Sequence, residues 1–365
     1  MLTPQYLSKI PDGILKIYLD LETDILCDIA RRIKKTGEIT DTAIWQSKKL
    51  EELGANRKYI SQRIAKASKM TQKEVLQVLN DACYSSLEKD QKIYLRAKDF
   101  GLLPNAVPLH SAQGIKSVLM IGAVKTQNTL QNLTESMGKI AFGKLSTYLD
   151  RSYMQVISGA FDYRTAITNS VKELARKGLY SIDYETGATI SIEAGVRRAV
   201  LTGVNKTAGD MALTYAEECG SDLVLTSQHF GARPSHAVWQ GKIFSRSGKS
   251  KKYPDFRSST GYGKVDGLCG ANCRHSFSPY FPGMSLKPDE QIGLTENAEQ
   301  YELEQEQRYN ERQIRYYKRQ VSVLDAGGID STFARQKVYE WQKIQRAFII
   351  EHDTLHRDYF REKVE

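Results

Sequence analysis

The residues best suited to chemistry lie in two nearby segments, HFGARPSHAVWQGKIF (229–244) and GLCGANCRHSFSPYFPG (267–283). Together they hold three of the six histidines and two of the five cysteines. Three readings are open. The first is a metal centre. Cys269 and Cys273 form a C-x3-C pair, and His275 follows at once. A tetrahedral zinc takes four nitrogen or sulfur ligands, so the pair supplies half a site and His275 with His236 or His229 the other half. The candidate quartet is Cys269, Cys273, His236 and His275, and zinc is the one ion the residues suggest. The second reading is a nuclease built on His229, His236 and His275, because imidazole suits general-base work near neutral pH. Against it, Asp255 and Asp266 are the only nearby acids for a magnesium ion. Ser235 beside His236 makes no triad, since no acidic orienter accompanies them.

The third reading is structural, and it is the expectation carried forward. Arg233 offers a rigid fork of donors to loop carbonyls. Pro234 holds its predecessor extended. His236 can donate and accept at its two ring nitrogens, and Trp239 adds a large apolar anchor. With Asn272, Cys273, Arg274 and His275 these residues would brace loops whose buried backbone must find partners. No enzymatic activity and no cofactor are expected.

The same stretch is basic. Residues 229–275 carry nine cations against two acids, a net +7 of the chain's +9. Lys242, Arg246, Lys249, Lys251, Lys252 and Arg257 are the candidate contacts to a polyanion such as DNA. A solvated loop surface is the plainer explanation of the same charge.

The elements that position these segments follow from periodicity. The chain is 365 residues long, 41% apolar and 26% charged, which suits a globular protein of two or three domains. Odd, scattered cysteines argue against a disulfide framework. No apolar run is long enough for a membrane helix, and no secretion signal opens the chain. The fold class read from the pattern is mostly α with a central α+β domain. Residues 1–180 form a helical N-terminal domain. Tyr18, Leu21, Ile25, Ile29 and Ile33 mark one helix face, with Asp28 and Arg32 paired on the outer side and Gly37 ending the helix. A second helix is expected from Thr40 to Gly54, and Thr71 with Glu74 reads as a capping box opening a third. GLLPNAVPLH (101–110) reads as a linker.

Residues 181–285 read as a small α+β module. SIDYETGATISI is a hairpin signature turning at Glu185-Thr186-Gly187, and Ser191 caps the next helix. That helix carries Val196, Val200, Val204, Met211 and Tyr215, and Gly220 stops it. SDLVLTS and GKIFS follow as strands. Residues 286–365 form a C-terminal helical region. Arg308, Arg312, Arg315 and Arg319 share a face, and DAGGID breaks the helix. A last helix over about 331–363 presents Val338, Trp341, Ile344 and Phe348.

GARPSHAVWQGKIFS and GLCGANCRHSFSPYFPG together resemble the signature of the phage minor capsid protein 2 family. LETDILCDIARRIKKTGEITDTAIWQ and EQRYNERQIRYYKR are also similar to it, so the resemblance spans most of the chain. It extends to the Mu F-like head-morphogenesis proteins, whose domain ends in a run like Asn272-Cys273-Arg274 with a cysteine where this chain has His275. The resemblance implies a minor head component of tailed phages or prophages, acting in head assembly or DNA delivery. Its implied partners are the portal protein or other head proteins and packaged DNA, with no membrane. Its implied place is the virion, at the capsid interior or portal vertex, and the bacterial cytoplasm during assembly. Some relatives carry a toxin domain; the helical C-terminal region leads us to expect none here.

Overall fold

The computed structural model describes residues 1–36, 42–182, 187, 189–286, 288 and 290–364. The expected helix end at Gly37, the start at Thr40 and most of the turn at Glu185-Thr186-Gly187 lie outside the described residues. The structure is mostly helical with small antiparallel sheets, as the pattern implies. Its helices are α1 (Pro4–Lys9), α2 (Asp12–Lys35), α3 (Thr42–Asp99), α4 (Gly114–Ile157), α5 (Tyr163–Lys177), α6 (Ile192–Glu218), α7 (Pro234–Ala237), α8 (Phe256–Thr260), α9 (Leu294–Gly327) and α10 (Thr332–Glu351). The strands are β1 (Tyr180–Ile182), β2 (Thr189–Ser191), β3 (Leu223–Thr226), β4 (Ile243–Ser245) and β5 (Phe277–Pro279).

These elements pack as two units. The first comprises Met1–Ile14, Thr71–Leu130 and Val196–Glu304. Its sheet has the order β4-β3-β5, antiparallel throughout, with Val224 opposite both Phe244 and Pro279. Pro279 lacks an N–H and sits on an edge strand, where none is missed. Phe256, Tyr262 and Phe277 form an edge-to-face aromatic cluster, and Phe244 adds to it. The five expected apolar positions of α6 are all buried, spaced by four or seven residues so that they keep to one face. Antiparallel to α6 runs α4, and the two meet through a reciprocal pair of small residues. Gly122 faces Thr207, and Gly203 faces Thr126. Each threonine hydroxyl donates to the glycine carbonyl four residues earlier in its own helix, at 2.8 Å for Thr126 and 2.6 Å for Thr207. With no Cβ at either glycine the helix backbones come into close approach.

The second unit comprises Leu15–Met70, Gln131–Gly195 and Gln305–Glu365. The α2 stripe from Tyr18 to Ile33 is buried. Ser191 caps α6 by accepting the Ala194 N–H at 3.2 Å, and Asp162 caps α5. Glu22 is buried and accepts from the Leu179 N–H at 2.9 Å and from Arg319 at 3.4 Å. Burial nevertheless raises its carboxyl pKa, against the lowering effect of Arg319.

Several local expectations are corrected. No break occurs at Gly54 or at Thr71, because α3 runs without interruption from Thr42 to Asp99. A lone glycine costs a helix only about 1 kcal/mol, and T-x-x-E without a preceding turn caps nothing. Asp28 and Arg32 do pair, at 2.7 Å, but inward: Asp28 is buried and also accepts from Asn56, while Arg32 reaches Glu52. On the shared arginine face of α9, Arg315 pairs with Glu193 and Arg319 with Glu22. The last helix ends at Glu351, not near 363. Beyond it the chain turns so that Leu355 and Glu362 are buried, with Arg357 paired to Glu362 at 2.6 Å. On α10 the inward row is Ala334, Val338, Trp341, Gln345 and Phe348, and Ile344 is exposed.

Candidate functional site

The two signature segments converge in the first unit. The first begins after β3, passes through α7 and runs into β4; the second begins after α8 and runs through β5. Arg233 is extended ahead of Pro234, as that proline requires, and it precedes the single turn of α7. Its guanidinium crosses to the other segment and donates to Ala271 O at 3.0 Å. The turn of α7 aims His236 inward, where Nε2 donates to Asp266 O at 2.7 Å. Trp239 packs on His236 with ring centroids 4.7 Å apart and on His275 at 4.8 Å.

The second segment is shaped by close backbone approaches. A Cβ on Gly267 would lie 2.0 Å from Gly261 O, and one on Gly270 would lie 2.3 Å from Val265 O, so both must be glycine. Cys269 and Asn272 adopt left-handed backbone, φ +60° and +57°. Asn272 is exposed, so what it contributes is that backbone turn, one asparagine tolerates better than most residues. Arg274 pairs with Glu304 of α9 at 2.8 Å and donates to Gly231 O at 3.3 Å.

At the centre are His236, Cys273 and His275, each 1–2% exposed. One ring nitrogen from each histidine and the Cys273 sulfur lie within 4.8 Å of one another. His275 Nδ1 is 3.7 Å from Cys273 Sγ, and that sulfur also accepts the His275 N–H at 3.4 Å. His275 Nε2 lies 3.0 Å from Gln240 Oε1. The His229 N–H donates to the same oxygen at 3.0 Å, which fixes the orientation of the amide. His275 therefore carries its proton on Nε2 and keeps the lone pair on Nδ1. The same argument applies to His236, whose Nε2 faces a carbonyl. Burial holds both imidazoles neutral: it lowers the pKa of His236, and it lowers that of His275 well below the usual histidine range, with His229 and His236 adding to the effect. Burial likewise pushes the Cys273 thiol up.

His229 stacks on His275 with ring centroids 4.3 Å apart. Cys269 stands apart from the triangle. Its thiol approaches His275 O at 3.8 Å and lines a small hollow with Leu2, Asn205, Gly209 and Phe277.

Three residues hold this cluster that the motif reading did not single out. Asn205 of α6 donates to Cys273 O at 3.0 Å and to His275 O at 2.8 Å. Gln240 joins His229 to His275. Asn297 of α9 clamps Ala232 from both sides, accepting its N–H at 2.9 Å and donating to its carbonyl at 2.7 Å. The visible signal was only that Asn205 and Asn297 are polar residues on the inner face of a helix.

The basic candidates divide. Lys242 donates to Val238 O and Arg246 to Ser221 O, so both are tied to backbone. Arg257 lies over the Tyr262 ring. Lys249, Lys251 and Lys252 are exposed on the loop between β4 and α8. Ser247 and Ser250 fix that loop by accepting the N–H groups of Lys249, Lys252 and Tyr253.

Residues 2–350 match the model of a family described as phage minor capsid protein 2. The chain belongs to the phage minor capsid protein 2 family. It is 25% identical over 333 residues to a protein of Lactococcus phage LL-H described as a structural protein, covering 87% of this chain and 88% of that one. A structural protein of Lactococcus phage mv4 is 32% identical over 115 residues, 31% of this chain and 93% of that one. No solved structure matches the chain. The match to the minor capsid protein 2 family takes in both signature segments, so the His236–Cys273–His275 cluster lies within the part of the chain that matches. Among the described residues no helix is long and apolar enough to cross a membrane.

Proposed function

We propose that this minor capsid protein is a non-enzymatic part of the phage head, carried in the virion at the capsid interior or portal vertex. It docks on the portal protein or another head protein during assembly in the host cytoplasm. Its lysine loop contacts the phosphates of packaged DNA without reading sequence. One observation carries the non-enzymatic reading. His236, Cys273 and His275 are buried and His229 is half-buried, and Nε2 of His236 and of His275 is engaged by the Asp266 carbonyl and the Gln240 amide. A nuclease needs a general base that can reach a phosphodiester. His236 and His275 are enclosed beneath Trp239, and they serve to join two loops.

Two measurements test the proposal. Mass spectrometry of purified particles should find the protein; its absence from virions removes the capsid role. Purified protein should bind duplex DNA with a salt dependence that shrinks when Lys249, Lys251 and Lys252 are replaced by alanine. Each phosphate contact contributes about 0.9 to the slope of log K against log salt, so the triple variant should lose about 3. An unchanged slope removes the DNA contact and leaves the assembly role standing.

A further inference from the structure

We propose that His236, Cys273 and His275 form a binding site for a zinc-type divalent ion, whose role is to lock the two signature segments together. The inference does not depend on the assembly role. It starts from the geometry of the three ligand atoms. Zinc–sulfur and zinc–nitrogen bonds of about 2.3 and 2.0 Å at a tetrahedral angle put sulfur and nitrogen about 3.5 Å apart. His275 Nδ1 and Cys273 Sγ are 3.7 Å apart. The full triangle lies within 4.8 Å.

The surroundings add a separate argument. A metal-bound imidazole needs a lone pair on one nitrogen, and its other N–H is usually held by a carbonyl or carboxylate. Both rings meet this condition, since Nε2 of His236 donates to Asp266 O and Nε2 of His275 to Gln240 Oε1. The rings are therefore set in the tautomer that a metal requires. Cys273 receives the His275 N–H, the kind of bond that stabilises a thiolate. On binding, the ion replaces the thiol proton, which leaves to solvent. The triangle supplies three protein ligands. Cys269, the obvious fourth ligand by spacing, lines the hollow beside Asn205 and lies outside the triangle. The site is thus His2Cys and not the C-x3-C pair.

The test uses the full chain, stripped with a chelator under reducing conditions and titrated with cobalt(II) as a spectroscopic stand-in for zinc. The expected result is about one ion per chain, with a thiolate-to-cobalt charge-transfer band and the intense visible bands of four-coordination. Zinc should displace the cobalt and abolish both. The Cys269→Ser variant should keep the charge-transfer band, and Cys273→Ser should lose it. His275→Gln should weaken zinc binding at least 10-fold by competition with a chromophoric chelator. The wild-type spectrum decides the matter even if Cys273→Ser fails to fold, because the charge-transfer band requires a thiolate ligand. Absence of that band in wild-type protein overturns the proposal, and so does its loss in folded Cys269→Ser.

Discussion

Glycine-to-alanine substitution should have opposite signs at Gly122, in the reciprocal contact between α4 and α6, and at Gly54 on α3. A methyl group added at Gly122 would lie 2.1 Å from Thr207 Oγ1, 2.5 Å from its Cγ2 and 2.8 Å from its Cβ. Ordinary contact begins near 3.4 Å, so about 0.6 Å of relief is needed at Cβ and about 1.3 Å at the hydroxyl. Rotating Thr207 away would break its bond to Gly203 O, and the Cβ conflict would remain. Overpacking of this kind costs about 1–3 kcal/mol, and alanine returns about 1 kcal/mol through its higher helix propensity. The Cβ conflict cannot be rotated away, which puts the cost in the upper half of that range, so Gly122→Ala should destabilise by about 1–2 kcal/mol. Gly54 lies on an exposed face of α3, and a methyl group there meets nothing within 4 Å. Gly54→Ala should stabilise by about 0.5–1 kcal/mol. Urea denaturation followed by far-UV circular dichroism measures both. Adding Thr207→Ala to Gly122→Ala removes the two closest atoms and should restore part of the loss, a coupling of about 0.5–3 kcal/mol. If Gly122→Ala is as stable as wild type, the close approach of the two helices is refuted.

Two further outcomes are expected. Asn205→Ala leaves the carbonyls of Cys273 and His275 buried without their donor, so it should cost about 2–4 kcal/mol in urea denaturation and loosen the signature loop to proteolysis. Asp90 is fully buried, and burial raises its pKa from 3.8 to about 6 even though the Met1 ammonium lies 3.4 Å away. A carboxyl with a raised folded pKa favours folding most when protonated. Its contribution is thus fully present below pH 4 and lost as the pH rises through about 6. The difference is on the order of 2–3 kcal/mol, and Asp90→Asn should flatten this part of the stability profile measured between pH 4 and 8.

Helix faces were legible in the sequence wherever apolar residues repeated without interruption. The stripes of α2 and α6, the Ser191 cap and β3 all follow from local pattern. The misread boundaries came from treating single residues as punctuation. Gly54 and Thr71 lie inside one helix because the residues around them favour helix and their packing outweighs a small local cost. The α10 stripe was misjudged by one position because Gln345, a polar residue, occupies the inward site that Ile344 was expected to fill. The candidate site was legible in its composition but not in its wiring. His236, Cys273 and His275 stood out by type. Asn205 and Asn297 did not, since they act 65–70 residues away in sequence, and a lone asparagine in a helix gives no local sign of which carbonyl it will meet. The spacing of Cys269 and Cys273 suggested a pair, but the left-handed backbone at Cys269 turns its thiol elsewhere.

The clamp of Asn297 on Ala232 also dictates an order of events on the ribosome. Until residue 297 has emerged, the Ala232 N–H and carbonyl have no partner, and until residue 304 emerges Arg274 lacks its carboxylate. The oldest part of the nascent chain waits almost as long, because the Leu2 carbonyl is bonded by the hydroxyl of Ser276 at 2.6 Å. These closures span 30, 65 and 274 residues, far more than a helical turn, so they form more slowly than the helices. A translation product halted near residue 290 would thus expose an unfinished, protease-sensitive module at both its ends, and completing α9 is the step that seals it.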